Sequence, residues 1–598
     1  MVAVTTSWRA FARDLVRLQD ARLDWWDAVR AGTCAGGVVL IGWSVGEVSA
    51  GLTASIGAFT ALFGNGRPYR HRARELAVIA LAFALAVTIG ALAESSVVAS
   101  ILVVAAMAVV ATALCRAFGT GPPGAYMFVL AGATGTAIPG AATEPTRLGL
   151  LVLAGGAFAW VAHMAGALVA PRGPEKATVA TAVTAVSGLL DAVGTDRYRE
   201  ARDRAARAMH ACWVVLVRQQ SPTARPDRTL ERLRALALDL HGVLAEGITA
   251  QDERRAVDPG AAARLRTLAG AVAHPPATPR SVGRIDMPLG GPGVGQTARD
   301  MLARGSPWRA VLVRVGIAAL VAGAVGSLAG LHNAYWAVAA AVLVLCQGLG
   351  WTGTLERGAL RLLGTWIGLV LAAAVLALQP SGVWLAATIA VLQGGIQLTM
   401  PRNYGLGVIL VTPTALTIGT AGHPADLGAL LLARGVDTAV GVVVGVLVFL
   451  LVVPGSVRPD PAALIAAALR DVARVVPHLA DATTASPGAR EARRDLAQRQ
   501  FALADAHHVD AAPVGRAVDT TIWWPALDAA RAVVHATLAA CWSVDATRSP
   551  GHAATPFVTA DRADAILAAL GDPAAAPGDG FLAPELEALR RALPQVAT

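Results

Sequence analysis

The chain is predicted to be an all-α, polytopic membrane protein: two parallel six-helix transmembrane blocks, about twelve spans, with cytosolic helical regions. Three observations predict it. Of 598 residues, 55% are hydrophobic and only 15% charged, with a mean hydropathy of +0.54, whereas ordinary globular domains carry about 25% charge. The apolar stretches fall into two groups of six. The arginines flank those stretches on alternate loops, which is how membrane orientation is written into a sequence.

A helix rising about 1.5 Å per residue needs about 20 apolar residues to cross roughly 30 Å of hydrocarbon. The first group lies at roughly 31–48, 50–64, 75–93, 96–115, 124–141 and 147–170. The second lies at roughly 309–330, 333–350, 358–378, 382–399, 404–420 and 427–453. The second and fifth stretches of each group are short and Gly-rich, which leaves room for a broken or re-entrant segment. Abundant Ala and Gly suit helices packed closely in lipid.

Residues 1–30 mix Arg9, Arg13, Arg17, Arg22 and Arg30 with Asp14, Asp20, Asp24 and Asp27. They read as a cytosolic lead-in helix against the membrane surface, not as a cleaved signal peptide. With that end inside, the inner loops carry Arg67, Arg70, Arg72 and Arg74, then Arg116, then Arg172 and Lys176. In the second group Arg304, Arg309, Arg357, Arg361, Arg402 and Arg458 fall on the same side. The outer loops near Gly51, Glu94, His332, Gln379 and His423 lack Lys and Arg; one outer loop holds Arg147. Both termini and the middle region are therefore expected in the cytosol of a bacterial cell, the membrane being the inner one.

Residues 172–305 and 456–598 have another texture, charged with apolar residues at helical spacing: Leu189, Leu190, Val193, Ala205, Met209, Cys212, Trp213 and Leu216 in one, Leu464, Ala467, Leu469, Val472 and Val476 in the other. They read as cytosolic helical domains. The expected organisation is a lead-in over 1–30, a membrane block over 31–171, a helical domain over 172–305, a second block over 306–455 and a helical domain over 456–598. The halves repeat. A shift of 283 residues takes Trp25 to Trp308, Arg74 to Arg357 and Pro171 to Pro454; 284 takes Arg30 to Arg314 and Gly46 to Gly330. Six spans per block is even, so the repeats run parallel about a pseudo-twofold axis along the membrane normal, and a pathway belongs where the blocks meet.

Composition and motifs exclude several classes. The net charge of +9 is spread beside apolar runs and forms no basic, aromatic-laced surface for nucleic acid. Cys34, Cys115, Cys212, Cys346 and Cys541 show neither a C-x-x-C pair nor metal-site spacing, so no metal and no cofactor is expected. There is no Walker-type phosphate loop, H-E-x-x-H or G-x-S-x-G, hence no catalytic residue to assign and no ATP-driven pump.

The second block reads NAYWAVAAAVLVLCQGLGWTGTLERGALRLLGTWIGLVLA, then RNYGLGVILVTPTAL, then ARGVDTAVGVVVGVLV. The ordered set Tyr335–Trp336, Glu356–Arg357, Arg361 with Gly364, Thr365 and Gly368, Tyr404, and Arg434–x–x–Asp437–Thr438–x–x–Gly441 resembles the fusaric acid resistance and aromatic acid exporter family. GAFTALFGNGRPYRHRAR and GPPGAYMFVLAGATGT in the first block resemble its N-terminal membrane half. The resemblance covers most of the chain and is strongest over about 305–455. It implies export of aromatic or other weak organic acids driven by the proton gradient. Through distant kinship with plant aluminium-activated malate transporters, it also implies that one chain supplies both halves of a pore. The first block's last span, LLVLAGGAFAWVAHMAGALVAP, lacks a copy of the Arg434–Asp437 motif, so the pathway is expected to be asymmetric.

Each candidate has two readings. Charges in a span cost roughly 2.5–3.5 kcal/mol each; Arg434 and Asp437, three apart on one helix face, either neutralise each other as packing or attract a carboxylate and exchange protons. Tyr335 and Trp336 are either an interfacial aromatic belt or a stacking surface or gate, and Tyr126 and Tyr404 carry the same alternatives. Arg70, Arg74, Arg357 and Arg361 orient the chain or form a cationic entrance on the cytosolic side. His163 carries protons or is a hydrogen-bonded structural histidine. Gly364/Gly368 and Gly441/Gly445 are G-x-x-x-G pairs for close helix contact. The functional expectation is an exporter of small organic anions; the rivals are a passive anion channel and a non-transporting scaffold. The expected partners are the lipid bilayer and a small organic anion, with an accessory membrane protein or homo-oligomer left open.

Overall fold

Long runs of Ala, Val and Leu favour helix, and short polar side chains, proline and glycine set where each helix starts and stops. The computed structural model describes residues 24–138, 144–220, 227–252, 255–258, 260–271, 291–304, 306–330, 335–420, 427–452, 460–507, 520–547, 555–571 and 579–593, with Leu18 and Leu289. In chain order come α1 (Trp25–Ser44), α2 (Val48–Ala58), α3 (Tyr69–Leu92), α4 (Val97–Phe118), α5 (Ala125–Gly135) and α6 (Pro145–Val169). Then come α7 (Gly173–Ala192), α8 (Tyr198–Trp213), α9 (Arg228–Asp252), α10 (Ala261–Ala271) and α11 (Val294–Leu302). The third run is α12 (Pro307–Leu328), α13 (Tyr335–Leu345), α14 (Trp351–Ala377), α15 (Gly382–Thr399), α16 (Tyr404–Thr420) and α17 (Leu427–Leu451). Last are α18 (Pro461–Ala480), α19 (Pro487–His507), α20 (Trp524–Thr547), α21 (Ala560–Gly571) and α22 (Ala583–Ala592). Among the described residues there is no strand.

The ends have local causes. Asp24 caps α1 by accepting from the Asp27 amide at 3.1 Å, and Ser96 caps α4 through Ala99 at 3.3 Å. Gly119 closes α4 in the left-handed region at φ 64°, where a side chain would be strained. Pro307 and Pro461 open α12 and α18, where a missing amide hydrogen costs nothing. Of the lead-in expected over 1–30, residues 1–17 and 19–23 lie outside the described residues.

Each predicted apolar stretch coincides with a helix. Among the described residues, seven helices are long and apolar enough to cross a membrane: α3, α4, α6, α12, α14, α15 and α17. The second and fifth stretches of each group form shorter apolar helices, at Val48–Leu62, Ala125–Gly135, Tyr335–Leu345 and Tyr404–Gly419.

The chain clusters into two units. One draws on residues 1–65, 72–169 and 294–458, the other on 66–71, 170–293 and 459–598. Within the first, the packing partners of α1–α6 recur among α12–α17. α1 lies on α15 as α12 lies on α4; α2 lies on α6 as α13 lies on α17; α4 meets α5 as α15 meets α16; α5 meets α13 and α2 meets α16. Glycine makes the closest of these contacts. A Cβ at Gly57 on α2 would overlap the Val152 carbonyl of α6, and one at Gly441 on α17 would overlap the Ala337 carbonyl of α13. Gly364 and Gly368 similarly face the Gly405 and Ile409 carbonyls of α16, each 2.8 Å from an added Cβ.

The second unit is helical with two apolar cores. One is formed by α7–α10, where Val186, Leu189, Met209 and Trp213 are buried, and the other by α18–α22. In α18 the buried stripe is Ile465, Ala468, Val472, Val475, Val476 and Leu479. The expected stripe is therefore corrected at its start: Leu464, Ala467 and Leu469 are only partly buried, one position off the face that Val472 and Val476 set.

Candidate functional site

In the first unit a cavity of about 640 Å³ runs between helices of both groups. Asp24, Asp27, Asn65 and Arg402 line it at one end of the helices, and Tyr335, Ile418 and Gly419 at the other. Tyr126, Tyr335, Trp336, Arg357, Arg361 and Tyr404, six of the candidate residues, share its wall.

Three of the cations in or behind this wall, Arg357, Arg361 and Arg434, lie against aromatic residues. Arg361 of α14 is 2% exposed, and its Nη2 donates to the Tyr126 hydroxyl of α5 at 3.4 Å. The Arg357 guanidinium lies 4.2 Å from the centre of the Tyr404 ring. Arg434 of α17 lies 3.3 Å from the centre of the Trp336 ring, and Trp336 packs on Tyr335 at 4.9 Å between centroids. A desolvated cation over such a face gains about 2 kcal/mol, which offsets most of the cost of holding an arginine in a span.

Arg434 and Asp437 sit behind Trp336 and do not line the cavity. They share a helix face as expected, but they are not paired. All three guanidinium nitrogens of Arg434 and both carboxylate oxygens of Asp437 are buried without a hydrogen-bond partner. The two opposite charges still attract each other along the helix, and α13 brings the Trp336 ring against the guanidinium. Arg361 stands near enough to Arg434 for the two charges to oppose each other. The site thus sets buried guanidinium groups beside aromatic faces, a chemistry suited to a planar anion.

The other candidates lie elsewhere. His163 of α6 is buried, its Nε2 donating to the Ala61 carbonyl at 2.9 Å, which ties α6 to the turn after α2. Arg74 is exposed on α3, and Arg70 belongs to the 66–71 segment of the second unit; neither lines the cavity. The expected reading missed the amides. Gln393 and Gln397, one turn apart on α15, and Gln347 line the wall. An amide in an apolar span is itself a signal, since it needs a partner in lipid. Among the described residues no cluster of His, Cys, Asp or Glu could hold a metal ion.

Comparison with known proteins agrees with this picture. Residues 319–448, which run from α12 to α17 and hold most of the cavity's cations, match the family model described as fusaric acid resistance protein-like. The chain is 28% identical over 467 residues to an uncharacterized membrane protein, YvaC, of Bacillus subtilis strain 168, covering 73% of this chain and 74% of the relative. No solved structure matches it. The chain is a membrane protein, and its residues 319–448 are similar to the fusaric acid resistance protein-like family.

Proposed function

We propose that this chain exports small organic anions, aromatic carboxylates above all, across the bacterial inner membrane, drawing on the proton gradient. The observation that carries the reading is the cavity wall. Arg361 with Tyr126, and Arg357 with Tyr404, place a cation beside an aromatic face inside an otherwise apolar helical unit. A carboxylate satisfies the guanidinium donors while its ring lies against Tyr or Trp.

In this reading the twelve helices α1–α6 and α12–α17 sit in the bilayer as two parallel six-helix blocks, 31–171 and 306–455, related by a pseudo-twofold along the membrane normal. Residues 172–305 and 456–598 are cytosolic, as are both termini. The recurrence of α1–α6 packing among α12–α17 supports the repeat. The four short helices surround the cavity rather than facing lipid, which makes their length tolerable. Asp437, buried and unpaired behind Trp336, is the group that takes up and releases protons.

Proteoliposomes loaded with radiolabelled benzoate test this. Efflux should be accelerated by an inward proton gradient and should fall at least tenfold in Arg361→Gln while insertion is unchanged. Efflux indifferent to the proton gradient but dependent on Arg361 would make the protein a passive channel. No flux in the wild type would leave a scaffold.

A further inference from the structure

The second unit is built twice, and the two copies differ in charge beside a cavity. α8 and α19 bury equivalent positions 291 residues apart, as Ala201 and Ala492, Arg202 and Arg493, Met209 and Gln500 show. α9 and α20 do so 294 apart: Leu233 and Leu527, His241 and His535, Leu244 and Leu538. α9 packs on α20, and a cavity of about 60 Å³ lies beside that contact. Its wall includes both members of three equivalent pairs, Ala206 and Ala497, Met209 and Gln500, Leu244 and Leu538. The cavity therefore sits on the local axis that relates the copies.

Charge breaks the symmetry. Asp203 of one copy bridges its neighbour Arg202 and Arg531 of the other copy; at the equivalent of Asp203 the other copy has Arg494. The cavity wall accordingly carries Arg490, Arg493, Arg494 and His210, and no carboxylate among its described lining residues. Arg493 is held from behind by Asp545 at 2.7 Å and by the Thr484 carbonyl at 3.0 Å, and Arg494 by Asp495 at 2.7 Å. An apolar plate completes the wall: His241 stacks on Trp542 at 4.5 Å and 17° and accepts from Trp213 Nε1 at 2.8 Å. Opposite Met209's apolar side chain, Gln500 is 6% exposed and its Oε1 has no partner. A buried acceptor left unsatisfied is costly, so a donor belongs there. The volume suits about four to six water-sized groups.

We propose that this cavity binds a short hydroxycarboxylate, its carboxylate held by Arg490 and Arg494 and its hydroxyl donating to Gln500 Oε1. Five or six heavy atoms of a two- or three-carbon hydroxy acid fill the space. A carboxylate without the hydroxyl leaves Gln500 unsatisfied, and a benzoate ring overfills it. This site is independent of the export reading, because none of its residues lines the membrane-unit cavity.

Titration calorimetry on the full-length chain in detergent, with sodium glycolate and sodium acetate as probes at constant ionic strength, tests the assignment. Glycolate should bind at least tenfold more tightly than acetate. Arg490→Gln/Arg494→Gln should weaken glycolate at least tenfold, and Gln500→Met should bring glycolate and acetate within about twofold of each other. If the double variant does not fold, Ala497→Val, which narrows the cavity without touching charge, must weaken glycolate instead. Equal binding of the two probes, no binding to the wild type, or wild-type glycolate affinity in whichever of these variants folds overturns the proposal. So does glycolate binding that Arg361→Gln abolishes and Arg490→Gln/Arg494→Gln leaves intact, since the ligand then occupies the membrane-unit cavity.

Discussion

Trp336→Leu removes the ring on which Arg434 rests, its guanidinium 3.3 Å from the ring centre. The desolvated cation–π contact contributes about 2 kcal/mol. The packing of Trp336 on Tyr335 at 4.9 Å contributes about 1 kcal/mol more, and the space vacated by the indole costs about 1.5 kcal/mol. The single substitution should therefore destabilise the protein by about 4.5 kcal/mol. Arg434→Gln loses the same 2 kcal/mol contact but removes a guanidinium with no hydrogen-bond partner, whose burial in a span costs about 3 kcal/mol; its net effect should lie within about 1 kcal/mol of zero. In the double variant the contact is lost only once. It should be about 3 kcal/mol more stable than Trp336→Leu, with a coupling energy of about 2 kcal/mol. Unfolding free energies measured by denaturant titration in mixed micelles give all four corners of the cycle. Additivity within about 0.5 kcal/mol would show that Trp336 does not hold Arg434.

Three other outcomes are expected. Gly57→Ala drives a Cβ into the Val152 carbonyl and should cost about 3 kcal/mol or fail to accumulate, whereas Gly188→Ala, with open space around it, should be neutral or slightly stabilising; yields and melting curves separate the two. Asp545→Asn takes the carboxylate from Arg493, which is 8% exposed and also donates to the Thr484 carbonyl, and should cost about 3 kcal/mol in the same unfolding assay. Burial, seconded by Arg493, pushes the His241 imidazole from 6.5 down to about 3, so the unfolded chain takes up that proton first. Stability is then lost as pH falls below 6.5 toward 3, by about 1.4 kcal/mol from this residue at pH 5.5. His241→Phe should shrink the difference in unfolding free energy between pH 7.5 and 5.5 by that amount, and an unchanged difference would exclude His241 as its source.

Hydropathy located the helices because the property that makes a segment apolar is a local sum. Nothing beyond neighbouring residues is needed to place α3, α4 or α17. Periodicity was nearly as informative in the second unit, missing at Val193, which is partly buried, and at Leu464, Ala467 and Leu469, where runs of Ala, Ile and Leu leave the phase of the stripe ambiguous until Val472. The partner of Arg434 was not legible. Its spacing from Asp437 is a statement about one helix, and it is α13, 98 residues earlier by the numbering of Trp336 and Arg434, that supplies the ring. The cavity's aromatic and cationic residues were legible one at a time as exceptions to an apolar background. That six of them share one wall follows from which helices meet, which no local pattern contains. Gln393 and Gln397 could have been found by the same rule that singled out Arg434, since a buried amide in a span also needs a partner.

In the proposed two-block reading, duplication explains both why the candidate residues cluster and why they are unequal. Two similar halves that meet about an axis leave a space between them, and residues from both copies face it. If the copies were identical, every cation would be doubled, and buried like charges across a narrow cavity repel. The first unit avoids this by keeping Arg434 and Asp437 in α17 only: α6, the helix with the equivalent packing, has Leu151 and Ala154 at the positions 283 residues earlier. The second unit shows the reverse, with Asp203 of one copy neutralising arginines and Arg494 of the other adding one at the axis. The arginines lining each cavity all come from the later copy, Arg357, Arg361 and Arg402 in one and Arg490, Arg493 and Arg494 in the other. Restoring symmetry should therefore remove function before it removes the fold. Arg494→Asp, which copies the Asp203 arrangement, should leave the melting curve within a few degrees of wild type while abolishing glycolate binding. Retained binding in that variant would mean that the broken symmetry is incidental.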